Sequence, residues 1–164
     1  MAAEAHEIRK EVVIAASRET VWQFLIDPDK AVRWMGRTAQ LDARVGGVYR
    51  VDVIPGSVAI GHFVEVDPPR RLVYTWGWEL GSPRPLPPGS TTVVIELTPH
   101  AEGTLLQLRH TGLPADDTAT GHARGWDHYL ARLRVAAAGA DPGVDPWIAT
   151  PPPFLPDRSP NGGS

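Results

Sequence analysis

The feature that most constrains this chain is a change of period at Arg37. From Arg37 to His110 the sequence reads as RTAQLDA, VYRVDVI, VAIGHFVEV, RLVYTWGW, TTVVIELT and TLLQLRH. These runs are separated by Gly46-Gly47, Pro55-Gly56, Asp67-Pro68-Pro69, a longer link from Glu79 to Ser90, and the turn PHAEG. β-Branched and aromatic runs bounded by turn residues predict six strands in succession, hence an antiparallel meander. Tyr49, Val51 and Val53, and again Val93, Ile95 and Leu97, alternate with polar neighbours, so the sheet has one covered face and one wetter face. Something must cover the first face.

The segment from about Ala115 to Gly139 is the only element long enough. It spans roughly 35 Å if wholly helical, at about 1.5 Å per residue. His122, Trp126, Tyr129, Leu130, Leu133 and Ala137 follow the helical spacing and form one apolar stripe. Asp116 and Asp117 near its start favour the helix dipole, and Gly139 followed by Pro142 supplies a stop. Ahead of the meander, Ile8 to Ala15 predicts a seventh strand. Ser17 then caps a helix, SRETVWQFLI, with Val21, Trp22, Phe24 and Leu25 near one face. A second short helix, PDKAVRWMG, starts at Pro28 and ends at Gly36. The expected class is α+β: a sheet of about seven strands wrapped around a long C-terminal helix, with two short helices after the first strand.

Bulk properties exclude several functions. A formal net charge of −3 argues against a phosphate-binding surface, so no nucleic acid is expected. The absence of cysteine removes disulfides, thiolate metal sites and a Cys nucleophile. The N-terminus MAAEAHEIRKE lacks the apolar region of a signal peptide, and no run approaches a membrane span, so a cytoplasmic protein is expected. The chain divides into a domain over residues 1–140 and a Pro-rich tail over 141–164. Within that tail Trp147, Ile148, Phe154 and Leu155 predict docking, either onto the chain's own body or onto a second copy as a homodimer.

The residues Ala15-Ala16, Val21-Trp22, Asp27-Pro28, Trp34, Arg44-Val-Gly-Gly-Val-Tyr-Arg50, Gly61, Glu65-Val-Asp-Pro-Pro-Arg-Arg-Leu-Val-Tyr-Thr-Trp76, Gly103-Thr104, His110 and Gly125-Trp126 with Leu130 and Leu133 carry a resemblance. Over about residues 7–138 the chain resembles the START-like, or SRPBCC, superfamily with its helix-grip fold, and within it the homologues of the activator of heat-shock-protein-90 ATPase. The resemblance implies a cavity between the long helix and a curved sheet that receives an apolar or aromatic small molecule. It does not imply a reaction. Lipid carriers, hormone receptors, polyketide cyclases and a co-chaperone share the architecture.

LVYTWGW puts Tyr74, Trp76 and Trp78 on one face of a strand. They are either packed core or a pocket wall. Trp34, Tyr49, Val51, His62, Tyr74, Trp76, Trp78, Leu108, His110, Trp126 and Leu130 are the expected ligand-binding residues, around a lipid-like or polyketide-like molecule. No catalytic set, cofactor or metal is expected. His62, His110 and Glu65 are the polar groups on cavity-bordering strands, and His62 and Glu65, three apart, cannot both point inward. His122 and His128 are six apart, where helix ligands for zinc need four, so Asp116 and Asp117 are read as dipole residues. The Glu79 to Ser90 link is a candidate lid, and Arg124, Arg132 and Arg134 a solvated helix face. The reading is binding without catalysis. The alternatives are a cyclase, dehydratase or hydrolase using His62 or His110 as acid–base, and a co-chaperone-type interaction module.

Overall fold

The computed structural model describes residues 6–80, 86–114 and 117–150. Strand β1 (His6–Ile14) leads into helices α1 (Arg18–Ile26) and α2 (Pro28–Ala31). The meander follows as β2 (Thr38–Leu41), β3 (Val48–Ile54), β4 (Ser57–Asp67), β5 (Arg71–Trp76), β6 (Thr91–His100) and β7 (Gly103–Leu113). Helix α3 (Asp117–Ala137) and a short α4 (Pro146–Ala149) complete the described chain. One seven-stranded sheet has the order β1-β7-β6-β5-β4-β3-β2, with every neighbour antiparallel. β1 closes the meander by pairing with its last strand. This is the expected helix-grip architecture.

Local chemistry explains the elements. Ser17 Oγ accepts from Thr20 N at 3.2 Å, and the buried residues of α1 are Val21, Trp22, Phe24 and Leu25. Regular α2 is shorter than its sequence suggests: after Ala31 the bonds tighten to Arg33 N–Lys30 O and Trp34 N–Ala31 O, and the Trp34 indole donates to Phe24 O at 2.8 Å. That bond turns Trp34 inward. On α3, His122, Trp126, Tyr129, Leu130, Leu133 and Ala137 are all buried, as the stripe requires. They join the inner residues of β1 and β3 to β7 in one core.

The segment after α3 was expected to lack regular structure, yet it carries α4. Asp145 caps that helix through Trp147 N at 2.9 Å, and Pro146 takes its first turn. An aspartate followed by proline is a helix start that the surrounding prolines disguised. Trp147 docks on the chain's own α3, its ring 3.6 Å from that of His128 and nearly parallel. Phe154 and Leu155, the tip of the Glu79 to Ser90 link and the side chains of Asp116 and Asp117 lie outside the described residues. Among the described residues no helix is long and apolar enough to cross a membrane.

Candidate functional site

Tyr74, Trp76 and Trp78 do leave the same face of the chain, and all three are buried against α3 and β3. Tyr74 stacks on Tyr49 of β3 at 4.1 Å and 14°, with Phe63 edge-on to both. Trp76 meets Trp78 at 5.4 Å and Trp126 of α3 at 5.6 Å. Burial drives the hydroxyls of Tyr49 and Tyr74 well above the ordinary phenol range, so both stay neutral. Gly61 lets β4 lie close against the Thr75 backbone of β5 beside this row. A Cβ there would fall 2.0 Å from Thr75 O, and the Thr75 hydroxyl instead accepts from His62 N at 2.9 Å.

At the centre is a directed relay of four groups. The Trp126 indole can only donate, and does so to His110 Nδ1 at 3.0 Å. His110 must therefore carry its proton on Nε2, which faces the Thr91 hydroxyl at 2.8 Å, and Thr91 passes its own proton to Trp76 O at 2.7 Å. Every group in the chain is satisfied. Protonating Nδ1 would set N–H against N–H, and burial, with His122 beside it, already holds His110 well below the ordinary imidazole range. His110 is thus a neutral core histidine with no proton free to give. His122 donates from Nδ1 to Thr118 O at 2.9 Å and closes the cluster, 5.4 Å from the His110 ring.

One donor stands outside this economy. The Trp76 Nε1–H is buried with no hydrogen-bond partner, an arrangement that costs about 1–3 kcal/mol unless something supplies an acceptor. Beside the tyrosine stack, Trp34, Tyr49, Val51 and Tyr74 help to line a void of about 10 Å³ between the end of α2 and the sheet. That is room for about one water. Trp76 lies 6.0 Å from Tyr49, so void and relay are neighbours in one aromatic layer.

Of the expected site residues, Trp34, Tyr49, Val51, Tyr74, Trp76, Trp78, Leu108, His110, Trp126 and Leu130 share this buried layer. His62 does not. Ala59 and Phe63 are buried, and His62 sits between them in the alternation, so it faces outward and is exposed. Glu65 is outside as well, paired with Arg71 at 3.1 Å. The two do not both point inward, as their three-residue spacing requires, but they share the outer face instead of lying on opposite ones, because a bulge between Phe63 and Glu65 inserts one residue into β4. Thr91, Thr118 and His122 were not among the expected residues, although the helical spacing had put His122 on the buried stripe.

Arg132 also corrects the sequence reading, which placed it on a solvated face. Its guanidinium donates to Trp34 O at 3.2 Å and to Gly143 O at 2.9 Å, tying α3 to the end of α2 and to the segment leading into α4. Arg124 and Arg134 are exposed as expected. His128 meets Asp145 at 2.8 Å and shares no hydrogen bond with the relay. The start of the Glu79 to Ser90 link is fixed by Arg50, whose Nε lies 2.6 Å from Glu79 and holds that carboxyl below its ordinary range. Leu86, further along, is buried in the core.

Residues 15–138 match the family described as Activator of Hsp90 ATPase homolog 1-like protein. Among solved structures, an AHSA1-like protein from Rhizobium etli is 44% identical, with 88% of this chain and 89% of that one covered and a TM-score of 0.70. DynU16, a protein of the dynemicin biosynthetic locus, is 25% identical over 83% of this chain and 49% of its own, with a TM-score of 0.68. CalU16 from Micromonospora echinospora is 26% identical over 82% and 76%, with a TM-score of 0.59. None of the curated proteins matches.

Proposed function

We propose, from the premise that this chain belongs to the Activator of Hsp90 ATPase homolog 1-like family, that it binds an apolar or aromatic small molecule between α3 and the sheet, without needing to transform it. The observation that carries the reading is the inner aromatic layer itself. Five large rings from β3, β5, the residues just after β5 and α3 converge on a neutral relay, beside a void and a donor that nothing in the protein satisfies. Sites for drug-sized ligands combine apolar walls with a few placed polar groups in this way. The likeness to DynU16 supports the same direction, since that protein belongs to a biosynthetic locus.

The rival acid–base reading has lost its residues: His62 faces solvent, and His110 is committed at both nitrogens. The test is a two-dimensional NMR titration of the full chain with neutral polycyclic aromatics, fatty acids and sterols. Saturable shifts concentrated on the indole N–H groups of Trp34, Trp76, Trp78 and Trp126 are expected for at least one class. No saturable shift with any of them would sink the reading.

A further inference from the structure

Any ligand that enters the inner aromatic layer must first make room. The void beside the tyrosine stack measures about 10 Å³, the space of about one water. Its far wall belongs to β3, β5 and β6, each of which is paired with a strand on both sides and so resists movement. Its near wall includes Trp34 and Met35, in the turn that joins α2 to β2. Both are buried while Arg33 beside them is exposed, so a single turn of chain separates the void from solvent.

That turn is fastened at few points. Regular helix stops at Ala31, and at the other end Gly36, at φ +85°, leads into Arg37, whose N–H donates to Asp52 O of β3 at 2.8 Å. Between these ends Trp34 is held from within by its indole bond to Phe24 O. From α3 the Arg132 guanidinium donates to Trp34 O at 3.2 Å and reaches Arg33 O at 3.5 Å, while the same fork holds Gly143 O at 2.9 Å. One side chain thus ties the turn to the long helix.

Resting on the binding function proposed above, we propose that residues 32–36 form a flap over the void, hinged at Ala31 and Gly36, and that Arg132 is the clasp that keeps it shut. A ligand enters beneath this turn, at the α2 side of the sheet, and α3 stays in place. With the flap closed nothing larger than a water fits, so the bound protein has the flap displaced and its carbonyls released from Arg132. Losing the clasp should therefore tighten binding, whereas losing a merely structural contact would weaken it or leave it unchanged.

The test titrates the full chain with the neutral fluorophore N-phenyl-1-naphthylamine, with methionine methyl groups labelled for NMR. Met35 is the only methionine besides Met1, so its methyl resonance reports the flap without ambiguity. The probe should move that resonance in wild-type protein. Arg132→Met, which removes the charge-assisted bonds, should tighten probe binding about ten-fold. Arg132→Lys should fall between the two, and carries the comparison if Arg132→Met does not fold. Asp145→Asn, which loosens α4 and leaves the flap bonds intact, should bind as wild type does. A bound probe with the Met35 methyl unmoved, an affinity that the Arg132 variants lower or leave unchanged, or equal tightening by Asp145→Asn would overturn the clasp and leave a binding pocket standing. Binding seen only when Arg132 is replaced would support the clasp, with the wild-type flap closed against this probe. Binding to none of the proteins would remove pocket and flap together.

Discussion

The Trp126 indole donates to His110 Nδ1 across 3.0 Å, and that one bond settles which proton the imidazole carries. A buried histidine that accepts at one nitrogen and donates at the other has no low-cost way to become a cation. Its folded-state pKa is lowered, chiefly by burial and further by His122. The unfolded chain, with an ordinary value near 6.5, therefore binds more protons than the folded one below that pH. The stabilising share of His110 is present above about pH 6.5 and is lost as pH falls through and below it. Denaturant midpoints should decline from about pH 7.5 to 5.5, and His110→Gln, which can still accept and donate, should flatten that decline. An unchanged slope in the variant would remove His110 as the cause.

Thr91 holds the other end of the relay. Thr91→Val keeps the shape and strips the hydroxyl, leaving His110 Nε2–H and Trp76 O without partners in a dry environment. Each buried orphan costs about 1–3 kcal/mol, so the variant should lose at least about 2 kcal/mol in urea unfolding. Thr118→Val should cost less, because the Thr118 group used by His122 is the backbone carbonyl, which the substitution preserves. Equal losses at the two positions would contradict the relay.

Two glycines with opposite surroundings give opposite expectations. Gly61→Ala would drive a Cβ into Thr75 O, a backbone atom that cannot rotate away, and should cost about 1–3 kcal/mol or more by prising β4 from β5. Gly125 lies within α3, and a Cβ there would meet nothing within 4 Å. Gly125→Ala should stabilise the protein by roughly 0.5–1 kcal/mol through helix propensity alone. Thermal melts of the pair read both signs in one experiment.

The architecture was legible because its signals are periodic. Alternation along β3 and β6 and the stripe on α3 from His122 to Ala137 are repeated many times, so one misread residue changes little. The aromatic row was legible for the same reason. What could not be read depends on single events. One bulge in β4, just after Phe63, puts Glu65 on the same outer face as His62, and alternation carries no mark of it. Arg132 looked like a surface charge because its acceptors are backbone carbonyls brought together only by the turn after α2 and the approach to α4. Thr91 opens its strand as one more β-branched residue, and only the fold puts its hydroxyl between His110 and Trp76. The relay is therefore tertiary information: four groups from four elements whose donor directions mean nothing until they meet.

The segment from Asp141 to Thr150 is held at two points, and their coupling can be measured. Arg132 donates to Gly143 O at 2.9 Å, while His128 meets Asp145 at 2.8 Å with Trp147 stacked on its other side. Arg132→Met keeps the apolar stem and removes the fork, and should cost about 1–3 kcal/mol for its charge-assisted bonds. Arg132→Lys should recover only part of this, since a point charge cannot reach the carbonyls of Trp34 and Gly143 as a planar fork does. Asp145→Asn weakens the hold on His128 but leaves an adequate cap for α4. If both contacts fasten one body, releasing the first makes the second worth less, and the double variant should lose less stability than the two single losses added. Accelerated amide exchange at Trp147 in each single variant should accompany this. Strict additivity, with Trp147 exchange unmoved by Arg132→Met, would mean that the two contacts hold separate pieces of chain.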